Sequence, residues 1–145
     1  MTSFTYTGTE EIPENTKVLF CYGNKLTELP PLPEGLEELY CSDNLLTELP
    51  KLPRHIKIVI CNNNHLTSLP DLSGLVNLQE LQCSVNQLTD LSNIGLPKSL
   101  KILFCSQNKL KKLPSFPEGI TTIHYWGNEL TELPTFPKSA REICG

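Results

Sequence analysis

The sequence predicts a solenoid: a curved right-handed superhelix with a parallel β-sheet on its concave face, extended or 3-10 returns on its convex face, and little or no α-helix. Three observations carry this. Asn24, Asn44, Asn64, Asn86, Asn108 and Asn128 are separated by 20, 20, 22, 22 and 20 residues, and periods of this size mark stacked units. Around each asparagine the chain repeats L-x-x-L-x-C-x-x-N-x-L-T-x-L-P-x-L-P, a pattern that "LEELYCSDNLLTELPKLP" from Leu36 to Pro53 fits throughout. Twelve prolines, about 8% of the chain against a usual 5%, fall at regular places in the unit.

The strand comes first in the unit. In "LEELYC" the inward Leu39 and Cys41 alternate with Glu38 and Tyr40, the period-two pattern of a strand with one buried face. Stacked copies make a parallel sheet. The return follows, and 20 residues leave too little chain for a long helix. Proline fixes φ and cannot donate to a ladder, so the "LPxLP" segment is expected to run extended, near polyproline II. Two longer units, "LPDLSGLVN" and "LSNIGLPKS", have room for one helical turn or a short 3-10 segment. We expect a single domain over residues 1–145: a half-repeat cap at 1–15, six repeats at 16–139 and a partial seventh strand at 140–145.

A unit with these letters resembles the leucine-rich repeat. The likeness runs from Thr16 to Gly145, with Ile12 and Pro13 as the tail of a degenerate leading unit. The "LPPLP", "LPKLP", "LPSFP" and "LPTFP" returns are most similar to repeats of type III-secreted bacterial effectors. Similar units, some with cysteine in the strand, occur in amoebae and their giant viruses. The resemblance implies a recognition module, acting in the host cytoplasm if the protein is a viral or secreted effector. In the bacterial effectors such repeats can precede a ubiquitin ligase domain with its own catalytic cysteine, and no residues remain here for one.

Composition narrows the function classes. The N-terminal "MTSFTYTGTEEIPEN" has neither the basic start nor the apolar run of a secretory signal, and no Asn-x-Ser/Thr acceptor occurs. An intracellular, cytoplasmic protein is expected. A formal charge of −4 with both signs interspersed offers no basic stripe for nucleic acid and no polybasic membrane anchor.

Cys21, Cys41, Cys61, Cys83 and Cys105 share one inward register, with Tyr125 in their place in the sixth unit. Buried thiols act as small hydrophobes. Strands about 4.8 Å apart do not bring Cβ atoms to the roughly 3.5–4.5 Å of a disulfide without distortion, and no C-x-x-C spacing or histidine in that register suggests a metal. The column reads as core, without cofactor. The asparagines read as satisfying buried loop amides and carbonyls. His55 and His65 fall in loops. His124 projects outward beside Cys144, a pair that in principle makes a nucleophile, but with no third group to orient the imidazole and no oxyanion donors, no catalytic residue and no metal site is expected.

The residues that the repeat does not dictate are the outward ones. One column runs Phe20, Tyr40, Ile60, Gln82, Phe104, His124 and Cys144; the column two residues earlier runs Val18, Glu38, Ile58, Glu80, Ile102, Thr122 and Glu142. Tyr22 and Trp126 lie just beyond the strands. Apolar side chains on an open face can merely shield one another at about 0.2–1 kcal/mol per pair. Aromatic anchors among polar neighbours are instead typical of binding hot spots, and solenoid concavities are the usual binding surface. We therefore expect a non-enzymatic protein-binding face formed by Phe20, Tyr22, Tyr40, Ile58, Ile60, Phe104, His124 and Trp126. Glu38, Glu80 and Lys57 are expected to set register and charge preference. Two alternatives remain: the substrate-recognition part of a larger enzyme, and a self-associating repeat protein, dimerising through a C-terminal strand edge without a cap.

Overall fold

A computed structural model describes the whole chain, Met1–Gly145. Eight strands form one parallel sheet in chain order: β1 (Ser3–Thr5), β2 (Val18–Phe20), β3 (Glu38–Tyr40), β4 (Ile58–Ile60), β5 (Glu80–Gln82), β6 (Ile102–Phe104), β7 (Thr122–His124) and β8 (Glu142–Cys144). The sequence pattern announces seven of them. The half-repeat expected to act as a cap is itself a rung, because Ser3-Phe4-Thr5 alternates like its neighbours and pairs with Val18-Leu19-Phe20 in register. Seven gaps give a sheet roughly 34 Å across.

Every strand sends its middle residue inward: Phe4, Leu19, Leu39, Val59, Leu81, Leu103, Ile123 and Ile143 are paired in succession. Behind them the repeat leucines complete one continuous core of 30 buried residues. The five cysteines from Cys21 to Cys105 are wholly buried and unpaired. Their column is bracketed by a tyrosine at each end, Tyr6 before Cys21 and Tyr125 after Cys105. Burial pushes the Cys61 and Cys105 thiols up to about 12 and raises Cys83 well above its ordinary value. For Cys41 the thiol contact with Cys21 acts with burial in the same direction. Thiolate, the reactive form, is thus suppressed at Cys41, Cys61, Cys83 and Cys105.

The returns contain no helix. Just before each strand from β2 to β8 one turn closes, from the amides of Thr16, Leu36, Ile56, Leu78, Leu100, Ile120 and Ala140 to the carbonyl three residues back. That acceptor residue is proline in every case but Leu75. The two longer units, with room for one helical turn or a short 3-10 segment, form isolated turns in which the Leu75 and Ile94 amides bond the carbonyls of Leu72 and Leu91, three residues back. There the Asp71 and Asp90 carboxylates take the Ser73 and Ser92 amides at 2.9 and 2.8 Å, a local bonding that competes with helix.

The asparagine column ties the turns together. Asn44 Oδ1 accepts the Asn24 and Leu26 amides at 3.0 Å, while its Nδ2 donates to the carbonyls of Cys21, Cys41 and Ser42 at 2.8, 3.1 and 3.2 Å. Asn64, Asn86 and Asn108 repeat the arrangement, each buried and each reaching the amide of the leucine two residues past the preceding asparagine. Such side chains supply partners that the irregular backbone would otherwise lack. The residue before each asparagine must turn left-handed: Gly23, Asp43, Asn63, Val85, Gln107 and Gly127 have φ of 69, 59, 54, 57, 52 and 72°.

Candidate binding surface

The outward positions of the eight strands form the open face of the sheet. Strict in-register pairing aligns them into the two expected columns, extended by Thr5 and Ser3 at the N-terminal side. Side chains on this face meet in three groups.

The first lies on β2 to β4. The Phe20 and Tyr40 rings stack at 5.2 Å with an interplanar angle of 19°, and Tyr22 meets Phe20 edge-on at 6.4 Å. Ile58 and Ile60 continue this surface, half-buried, onto β4. Tyr22 is 61% exposed, so the group presents one aromatic edge to solvent above a stacked base. The Tyr40 hydroxyl donates to Glu38 Oε2 at 2.7 Å. Partial burial, and then this bond to the carboxylate, push the phenol up to about 12. The rotamers of both residues are thereby fixed.

A polar seam follows across β4 and β5. Gln82 Nε2 donates to Glu80 Oε1 at 2.6 Å, and Asn62 Nδ2 donates to Gln82 Oε1 at 2.9 Å. Lys57 stands at the strand entrance, where it pairs with Glu37 at 2.5 Å, Lys17 lying at 3.9 Å from the same carboxylate. The hydrogen bond from Lys57 holds the Glu37 carboxyl below the usual range. Lys57 is thus engaged with Glu37 at the margin of the face.

The third group is on β6 to β8. Phe104 and His124 stack at 4.1 Å, almost parallel at 2°. His124 Nε2 lies 2.7 Å from Glu142 Oε1, and Cys144 completes a set of three donor atoms all within 4.8 Å of one another. This corrects the expectation that no group orients the imidazole: Glu142 does so from the neighbouring strand. Register alone puts Thr122, not His124, opposite Glu142; the contact is diagonal and depends on side-chain reach. Trp126, 47% exposed, lies beyond β7. In the column just past the strands it is five rungs from Tyr22, about 24 Å, so these two aromatics are separate anchors.

The column containing Glu38, Glu80 and Glu142 carries three carboxylates and no cation. The face is therefore acidic along one side and aromatic along the other. No helix is long and apolar enough to cross a membrane.

A model described as Leucine Rich repeats (2 copies) matches residues 54–97 and 76–118. Among solved structures, YopM from Yersinia enterocolitica superposes with a TM-score of 0.85 at 32% identity over 95% of this chain and 34% of its own. A Shigella effector LRR domain gives 0.79 at 32% identity over 86% of this chain and 55% of its own. InlJ from Listeria monocytogenes, whose functional domain includes a cysteine ladder, gives 0.77 at 27% identity, over 90% and 30%. The chain thus spans about a third to a little over half of the structures it matches. No curated protein matches the sequence significantly.

Proposed function

We propose that this leucine-rich repeat solenoid is a non-enzymatic protein-binding module that holds its partner on the concave sheet face. The observation that carries the reading is the pair of stacked aromatic groups, Phe20–Tyr40 and Phe104–His124, set four rungs apart, about 19 Å, with a polar seam between. That spacing suits two apolar anchors on one extended segment or helix. The carboxylates of Glu38, Glu80 and Glu142 favour a partner with cationic groups along the same edge. Ile58, Ile60, Tyr22 and Trp126 add contact area, and Lys57 contributes at the margin.

We place the protein inside a cell, where its six free thiols stay reduced. The partner is captured from the native cell on immobilised protein, and affinity is then measured for Tyr40→Ala and Phe104→Ala. We expect each to weaken binding by at least tenfold, the range of a hot-spot aromatic. Unchanged affinity in both variants rejects this surface. Self-association through β8, where Ile143 is 41% exposed on the core side, is the second reading. Sedimentation at several concentrations tests it, and a strictly monomeric species excludes it.

A further inference from the structure

We propose that His124, Glu142 and Cys144 form a mononuclear zinc site with an open fourth position. The three side chains share the outward face of β7 and β8, His124 directly paired with Cys144 and Glu142 two residues before it. Their donor atoms all lie within 4.8 Å of one another, with Nε2 and Oε1 already at 2.7 Å. Tetrahedral Zn²⁺, with bonds of about 2.0–2.3 Å, needs its ligand atoms roughly 3.3–3.6 Å apart. The hydrogen bond therefore opens slightly and the thiol closes on it from a separation of at most 4.8 Å.

Two features aim the site. Phe104, stacked at 4.1 Å, fixes the plane of the imidazole so that Nε2 faces β8. Glu142 and Cys144 are solvent-accessible, so an ion reaches the donors directly. The donor set also decides the metal. One thiolate and one imidazole favour Zn²⁺, whereas Ca²⁺ and Mg²⁺ want an all-oxygen shell that a single carboxylate does not provide. With three protein ligands the fourth position falls to water, the arrangement of open rather than closed zinc sites. The buried cysteines offer no rival site, since each is fully enclosed and out of reach of an ion from solvent. The site shares His124 with the aromatic face, but metal binding is read out without any protein partner.

The test uses Co²⁺ as a spectroscopic stand-in for Zn²⁺, titrated into the reduced chain Met1–Gly145. We expect one equivalent to bind with the intense visible bands of tetrahedral cobalt and a thiolate charge-transfer band, both abolished by one equivalent of Zn²⁺. Cys144→Ser and His124→Ala should each weaken binding by ~100-fold or more, since even outer-shell partners are worth 10–100-fold. His65→Ala should leave the spectrum unchanged. All three positions are exposed or half-buried on the surface, and circular dichroism confirms that the variants fold. A titration with no thiolate band, a band that survives Cys144→Ser or vanishes in His65→Ala, or a stoichiometry of two chains per ion overturns the proposal.

Discussion

Val85 occupies a position that its side chain resists. The turn before each ladder asparagine requires a left-handed residue, and the equivalent sites hold Gly23, Asp43, Asn63, Gln107 and Gly127. Val85 has φ of 57°, where a β-branched residue is a true outlier. The left-handed region costs an ordinary L-residue about 1–2 kcal/mol, and asparagine is among the residues that bear it best. Val85 is 41% exposed, so replacing it forfeits little packing. Asn63, one rung earlier, shows what the replacement gains: its Nδ2 donates to Asp43 Oδ1 at 2.6 Å. An asparagine at 85 can donate to Asn63 in the same way. Val85→Asn should therefore stabilise the chain by about 1 kcal/mol, which for 145 residues raises Tm by roughly 3 °C. Calorimetry measures this directly. The reverse change, Asp43→Val, should lower Tm by a similar amount. A Val85→Asn variant that melts at or below the parent temperature refutes the claim that the turn is strained.

Three further outcomes follow from the same geometry. Asn64→Ala removes the acceptor of the Leu46 amide and the donor to the Cys41 and Cys61 carbonyls; leaving these buried groups unpaired should cost about 3 kcal/mol or more, measured by urea denaturation, with Asn24→Ala at the half-buried end costing less. A thiol reagent at pH 8 should label one cysteine per native chain, Cys144, and all six in denaturant; rapid labelling of a second thiol in the native state contradicts the sealed column. Stability should fall as pH rises from about 9 towards 12, because Cys61, Cys105 and Tyr40 keep their protons up to about 12 in the fold and lose them earlier when unfolded. The folded state then binds more protons than the unfolded one throughout that window, so its advantage shrinks with increasing pH. Flat stability from pH 9 to 11 in urea melts is the result that contradicts this.

The architecture was legible because one period fixed everything at once: the leucines, the cysteine register and the outward columns follow from counting twos along "LEELYC" and twenties along the asparagines. β1 escaped because Ser3-Phe4-Thr5 has only one apolar letter and is followed by a return 15 residues long, measured from Ser3 to Val18, instead of 20 or 22. Which form the longer returns take escaped because aspartate side chains, not the leucine spacing, decide it. On the face, membership was readable but contact was not. Phe20 and Tyr40 lie on adjacent rungs in any such fold, whereas the diagonal reach of Glu142 to His124 and the Asn62–Gln82–Glu80 chain depend on rotamers that no pattern of letters encodes.

The asparagine column has a direction. Asn44 bonds the amides of Asn24 and Leu26 and the carbonyl of Cys21, and each later asparagine likewise reaches towards the N-terminus, as Asn128 does to the Leu110 amide and the Cys105 carbonyl. On a ribosome, where about 5–20 residues emerge per second, one turn appears every few seconds. Every partner it needs for its asparagine has by then already been made. The fold can thus be laid down in the order of its synthesis, each coil supplying the partners that the amides of the one before it still lack.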